Sequence, residues 1–483
     1  MNIKMVFGIL GRVLVIEAVL LICPLLVGVV YHENTYLSFL IPILGLLAVG
    51  LPLSFLRPKD KAIYAKEGFV TVALAWVLLS LVGAVPFVIS GEIPNYANAL
   101  FETASGFTTT GASILKDVES LSKSILFWRS FTHWLGGMGV LVFILAILPN
   151  YNAGLTHVFR AESPGPSVGK LVSKLKHTAR ILYGIYIIMT FAEMIFLLCG
   201  GMSFYNSILH AFSTAGTGGF STMNDSIGAF NSVYIEMVVA VFMFLFGINF
   251  NLFYLILIGN FKKAIKSEEF RVYLIIVVGA TLAIAVNILS LCANFGEAVR
   301  YAFFQVTSFS SSTGFSSADF GKWPEFSRAI LIGLMIVGAC GGSTGGGMKV
   351  SRVIILVKSG FTNLRRLIHP RSVVTTRFEG EPLDKDTERN VHTYFILWVT
   401  IVVVCTLLLS IEPTEQNDFL TSFTTTLSCI GNIGPAFSYG GAVSNLAFYS
   451  PYSKVMLSLV MLIGRLEIFP IIIMCAPRMW RRG

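Results

Sequence analysis

The chain has 483 residues, of which 55% are hydrophobic and 13% charged, and its mean hydropathy is +0.76. That charged share is about half of what a soluble domain spreads over its surface, which excludes a soluble globule and leaves a polytopic membrane protein. The net charge of +9 does not mark a nucleic-acid binder, because Lys and Arg sit in short loops between apolar stretches rather than on one polar domain.

A membrane span needs about 20 mostly apolar residues. Ten segments qualify: 8–31, 35–56, 68–90, 124–148, 181–200, 232–258, 271–293, 326–357, 391–410 and 453–475. Glu17 interrupts the first, and no small-residue cleavage site follows it, so it reads as a membrane helix rather than a leader. With the N-terminus placed inside, 27 Lys and Arg fall in inner segments and 4 (Lys116, Lys123, Arg300, Lys322) in outer ones. That bias predicts both termini in the cytoplasm. The seven cysteines are scattered without a CxxC pair, so neither a metal site nor a disulfide framework is read.

The outer loops 91–123, 201–231, 294–325 and 411–452 are each long enough to enter the membrane and return. They also align with one another. Each carries a helix-compatible run, then small hydroxylated residues, then a glycine: Gly111, Gly219, Gly314 or Gly434, spaced 108, 95 and 120 residues apart. Such self-similarity predicts an all-α membrane protein with four repeats of helix, re-entrant pore loop and helix around a central pore. The expected units are 61–160, 161–262, 263–360 and 361–483, with 1–60 as an added pair of N-terminal transmembrane helices.

Non-helical backbone at membrane depth survives only where protein buries it or where it lines water. Four such loops around one axis can offer rings of carbonyl oxygens that replace the hydration shell of a cation. Glycine permits the positive φ that turns carbonyls inward. The preceding short helices point their negative ends at the loops. Asp and Glu are missing from the filter segments themselves, which favours carbonyl over carboxylate coordination.

The residues Thr108-Thr109-Thr110-Gly111, Gly218-Gly219-Phe220-Ser221-Thr222, Ser312-Thr313-Gly314-Phe315 and Gly431-Asn432-Ile433-Gly434-Pro435 carry a resemblance. So do Gly341 to Lys349, Gly464-Arg465-Leu466-Glu467-Ile468-Phe469, Trp134 to Gly139 and Arg160 to Gly165. The sequence resembles the membrane subunits of Trk-type potassium uptake systems, in the superfamily that also holds the Ktr and plant HKT transporters. The likeness covers nearly the whole chain, including the two extra N-terminal helices of the Trk branch. It implies K⁺ as the transported ion, with no other cofactor bound by this chain. It implies a filter of Thr109, Thr110 and Gly111; Thr217, Gly218 and Gly219; Ser312, Thr313 and Gly314; and Asn432, Ile433 and Gly434. In this superfamily a serine in place of the first-loop glycine goes with Na⁺ permeation, so Gly111 favours K⁺. The fourth loop, with Asn432-Ile433, departs from the hydroxyl-rich pattern and is expected to contribute less symmetrically.

Residues Gly341, Gly342, Ser343, Thr344, Gly345, Gly346 and Gly347 interrupt the eighth span. Five glycines in seven residues cannot hold a helix, and the Gly-Lys-Ser/Thr of a phosphate-binding loop is missing. A flexible gate under the filter is the reading that remains, and the resemblance supports it. Arg465 lies within the last span, where an unpartnered charge costs several kcal/mol. Its near neighbour Glu467 is at i+2 and points to another helix face. Arg465 is therefore expected to face the conduction path as an electrostatic barrier and part of the gate.

The basic inner loop 358–390 can touch anionic lipid of the bilayer or a soluble partner. By resemblance alone, the partners are a second copy in a homodimer and a cytosolic nucleotide-binding (NAD or ATP) regulatory subunit of the TrkA type, in a bacterial plasma (inner) membrane. A proton- or sodium-coupled symporter is the alternative; it would need a titratable group at mid-membrane, and the re-entrant loops offer none except Glu102 near the first pore helix. An enzyme is disfavoured, since His133, His157, His210 and His392 are dispersed and no HExxH or paired carboxylates occur.

Overall fold

The computed structural model describes residues 2–56, 65–137, 139, 175–370, 374–441 and 445–476. Among them, six helical segments are long and apolar enough to cross a membrane: Ile3–Val30, Tyr36–Ser54, Glu67–Ile89, Ala179–Cys199, Glu268–Asn287 and Lys385–Ser410. Sequence expectation and structure agree on these. Two further expected spans are broken. Val233–Phe246 and Phe250–Leu257 meet at 90°, and Pro451–Arg465 and Phe469–Cys475 meet at 118°. The apolar runs 232–258 and 453–475 therefore do not form straight spans. The first breaks at Gly247–Asn249, where the Asn249 side chain accepts from Asn251 N–H and caps the next helix. The second breaks at Glu467 and Ile468, both with positive φ.

The helices are α1 (Ile3–Leu20), α2 (Ile22–Val30), α3 (Tyr36–Ser54), α4 (Ala65–Gly83), α5 (Val85–Ile89), α6 (Tyr96–Phe107) and α7 (Lys123–Gly137). Then follow α8 (Leu175–Cys199), α9 (Phe204–Ala215), α10 (Val233–Phe246), α11 (Phe250–Leu257), α12 (Phe261–Lys266), α13 (Glu268–Asn287) and α14 (Phe295–Ser310). The last are α15 (Glu325–Val337), α16 (Val350–Ile368), α17 (Lys385–Ser410), α18 (Phe419–Gly431), α19 (Pro451–Arg465) and α20 (Phe469–Cys475). The eighth expected span divides into α15 and α16, separated by a non-helical segment at 338–349. The fourth, 124–148, is described only as far as Gly137 and at Gly139; its remainder, the Arg160–Gly165 motif and the C-terminal arginines lie outside the described residues.

The N-terminal pair packs closely. A Cβ on Gly11 would lie 2.6 Å from Ser54 N, and one on Gly50 2.9 Å from Gly11 O, so backbone meets backbone where α1 crosses α3. Apolar residues also cover the outside, among them Leu26, Leu44, Ile188, Ile275, Val286, Ile396 and Leu407. On a soluble protein this coat would aggregate; in a bilayer it is the solvent-facing surface.

Candidate ion-conduction site

Four short helices, α6, α9, α14 and α18, deliver the four glycine loops. Each starts with a side-chain cap: Asn95 accepts from Ala97 N–H at 2.9 Å, Ser203 from Asn206 N–H at 3.3 Å, Asn294 from Glu297 N–H at 2.8 Å, and Asp418 from Thr421 N–H at 2.7 Å. Each ends identically. Thr110, Gly218, Thr313 and Ile433 N–H donate back to Ser105, Ser213, Ser308 and Ser428 carbonyls at 2.8, 2.8, 2.9 and 3.0 Å. Thr109, Thr217, Ser312 and Asn432 N–H reach the carbonyls three residues back. This pair of bonds is a Schellman termination, and it requires a left-handed residue just past the helix. That residue is Thr109, Thr217, Ser312 or Asn432, with φ of 55°, 54°, 61° and 51°.

Two positions on, Gly111, Gly219, Gly314 and Gly434 return to positive φ at 79°, 77°, 84° and 104°. The first of these two left-handed positions was not legible in the sequence. Thr strongly disfavours it, and only Asn432 suits it by its own chemistry. The fourth loop takes the same two left-handed positions as the others, with the largest departure at Gly434, whose φ of 104° stands apart from 77–84°. Asn432 Nδ2 donates to Thr110 Oγ1 and to Met461 O, both at 3.0 Å, and so ties the fourth loop to the first.

The four loops close on one another. A Cβ on Gly111 would lie 1.8 Å from Gly218 O, one on Gly219 2.0 Å from Thr313 O, one on Gly314 2.1 Å from Ile433 O, and one on Gly434 2.7 Å from Thr110 O. The order runs first to second to third to fourth and back to first. All twelve expected filter residues therefore belong to one ring, and its Thr, Ser, Asn and Ile side chains are buried.

Behind the ring, Arg129 Nε donates to Glu102 Oε1 at 2.6 Å, and both are buried. Glu102 also accepts from Ser113 Oγ at 3.0 Å and Ile114 N–H at 3.1 Å, and Arg129 Nη1 donates to Ser221 O at 3.1 Å. The one carboxylate that the coupled-symport alternative offered is thus engaged in bracing the first loop to the second. Two glycines of the sequence motifs have steric roles here. A Cβ on Gly136 would strike Phe107 O at 1.9 Å, and one on Gly464 would strike Ile430 O at 2.2 Å.

The segment 338–349 lies against the ring, on the side where the short helices end. Gly346 N–H donates to Ser312 Oγ, Gly347 N–H to Gly431 O at 2.9 Å, and a Cβ on Gly345 would lie 2.5 Å from Ser311 O. Cys340 N–H donates to Gly247 O at 3.1 Å, and Phe250 N–H donates to Gly342 O at 3.0 Å, so the segment leans on the α10–α11 break. Arg465 donates to Thr344 O at 2.9 Å and to the carbonyls of Gly136 and Gly137. Glu467 pairs with Arg352 rather than with Arg465, and it does so from the break after α19 rather than from a helix face. Two residues missed in the sequence act on the same segment. Buried Lys349 donates to Gly345 O, and Glu269 Oε1 accepts from Gly341 N–H at 2.6 Å. A lysine closing a glycine run at membrane depth was the available signal for the first; nothing local points to the second, 72 residues away.

Buried re-entrant loops meeting in a ring, carried by many apolar helices, define a multi-pass membrane transport protein. The TrkH family, described as a cation transport protein, matches residues 38–482, and the chain belongs to that family. This is a family of transporters, not enzymes. The Trk system potassium uptake protein TrkH of Salmonella typhimurium is 34% identical over 490 residues, covering 100% of both chains. The Trk system potassium uptake protein TrkG of Escherichia coli is 30% identical over 485 residues, covering 99% of both. The crystal structure of the potassium transporter TrkH from Vibrio parahaemolyticus superposes with a TM-score of 0.89 at 32% identity, covering 100% of both chains.

Proposed function

We propose that this chain is the potassium-conducting subunit of a Trk-type uptake system in a bacterial plasma membrane, with both termini cytoplasmic. The observation that carries the reading is the closed cyclic order of contacts among the four glycine loops. Their alternating left-handed residues turn main-chain carbonyls toward one line. A dehydrated K⁺ on that line exchanges its water for the carbonyls of Thr109, Thr110 and Gly111 and of their three equivalents. Four helix ends aim their partial negative charge at the same place. No further cofactor is needed, since K⁺ is the cargo.

Segment 341–347 and Arg465 act as the gate. The segment touches two of the four loops, and the guanidinium adds a positive charge that a passing cation must overcome. The names of the relatives speak of a Trk system, which supports a multi-component assembly. Its parts are a second copy of this chain and a cytosolic nucleotide-binding regulator on the basic inner loop.

The test is potassium flux through purified protein in liposomes, wild type against Gly111→Ser. The expected outcome is K⁺ flux in the wild type and a gain of Na⁺ passage in the variant. An identical K⁺/Na⁺ ratio in both would overturn the filter assignment. Reversal potentials in K⁺ gradients, with and without a pH gradient, separate this reading from coupled symport, which requires a shift with pH.

A further inference from the structure

Residues Arg377–Phe378 pair antiparallel with Glu381–Pro382 in the inner loop between α16 and α17. Only Glu379 and Gly380 connect them, with φ of 52° and 83°. Positive φ at both central residues is a type I′ turn, the tightest hairpin connection, and Glu is an uncommon choice for its first position. The turn is exposed, but its carboxylate is engaged. Glu379 Oε1 accepts from Ser267 Oγ at 2.8 Å and from Glu269 N–H at 3.2 Å, and Oε2 accepts from Glu268 N–H at 3.0 Å. In return, Glu379 N–H donates to Glu268 Oε2 at 3.2 Å. A carboxylate from over 100 residues away thus fixes the first turn of α13, whose free N–H groups it satisfies.

The next link is one residue long. Glu269, whose N–H Glu379 holds, places its own Oε1 between Gly341 of segment 338–349 and Ser351 in the first turn of α16. It accepts from Gly341 N–H at 2.6 Å and from Ser351 N–H at 3.1 Å. Lys358, two turns beyond on α16, closes the circuit by pairing with Glu268 and donating to Arg377 O at 3.1 Å. Main-chain bonds from Gly338 to Leu334 O and from Val350 to Ala339 O hold the ends of the segment, and this oxygen adds a side-chain tie at Gly341.

We infer that Glu379 is a positioning residue for the gate. Held by the hairpin, it fixes the turn of α13 that carries Glu269, and Glu269 ties Gly341 of segment 338–349 to the first turn of α16. Displacing the hairpin from the cytoplasmic side therefore slackens the segment without touching the filter. The inference rests on the gate reading above and adds the route by which the inner loop reaches it.

The experiment is K⁺ uptake by full-length protein in liposomes, with thermal unfolding as a check of fold. Variants are Glu379→Ala, Glu269→Gln, the double variant, and a deletion of 341–347. Glu379→Ala is expected to raise maximal flux about fivefold, the size of one lost helix cap. The half-saturating K⁺ concentration and the K⁺/Na⁺ ratio stay at wild-type values. A merely structural role would lower the amount of active protein and leave no such split. Glu269→Gln gives the same rise, and the double variant gives no more than the larger single, because both act on one link. Unchanged or reduced flux in folded Glu379→Ala, or rises that multiply in the double variant, overturns the inference. If the deletion raises flux while Glu379→Ala does not, only this inference fails. If the deletion leaves flux unchanged, the gate reading fails and takes the inference with it. Should Glu379→Ala not fold, Glu379→Gln, which retains an acceptor oxygen, is expected to give a smaller rise with the same split.

Discussion

The ring of glycine loops and segment 338–349 are both non-helical backbone inside a helical protein, yet the balance of what holds them differs. Each ring loop grows from a helix end through two main-chain bonds of its own. The four loops then block one another's movement, glycine against carbonyl. Segment 338–349 has a few main-chain bonds and adds side-chain ties from elsewhere: Glu269, Arg465 and Ser312. A structure fixed by its own chain is suited to constant geometry, whereas one fixed by distant side chains can be released by moving any of them.

The largest effect should come from breaking the ring itself. Gly219→Ala places a Cβ 2.0 Å from Thr313 O at a φ of 77°, so backbone must shift. Strain of that kind costs about 1–3 kcal/mol, and we expect K⁺ flux in liposomes to fall at least about tenfold with loss of K⁺ over Na⁺ preference. Normal selectivity would mean that the contact closing the ring is not needed. Removing the brace behind the ring comes next. Arg129→Ala strands the buried Glu102 carboxylate, at a cost of about 3 kcal/mol. A lowered unfolding temperature in detergent checks this, and Arg129→Met with Glu102→Leu should recover part of it. The smallest change is expected on the segment. Arg465→Gln loses charge-assisted bonds to three carbonyls. We expect a rise in K⁺ flux of about threefold with protein yield unchanged, on the scale of one weakened hydrogen bond. Lost expression instead would assign Arg465 to folding.

The sequence made legible whatever repeats or violates membrane chemistry. Four glycines in register showed the loops, a run of five glycines showed the broken span, and Arg465 stood out as a charge in an apolar stretch. What it hid depends on contacts between distant parts. Thr109 and Thr217 oppose the left-handed conformation by propensity, and only the helix termination imposes it. The bends at Gly247–Asn249 and Leu466–Ile468 lie within apolar runs that read as continuous spans. Glu269 resembles any first-turn helix carboxylate until Gly341 is brought beside it.

The four-part ring is encoded by one polypeptide rather than by four identical copies. A replacement therefore alters a single quadrant and leaves three untouched, where a homotetramer would change all of them at once. If the ring is the filter proposed above, discrimination between alkali metals can be tuned stepwise, one quarter at a time.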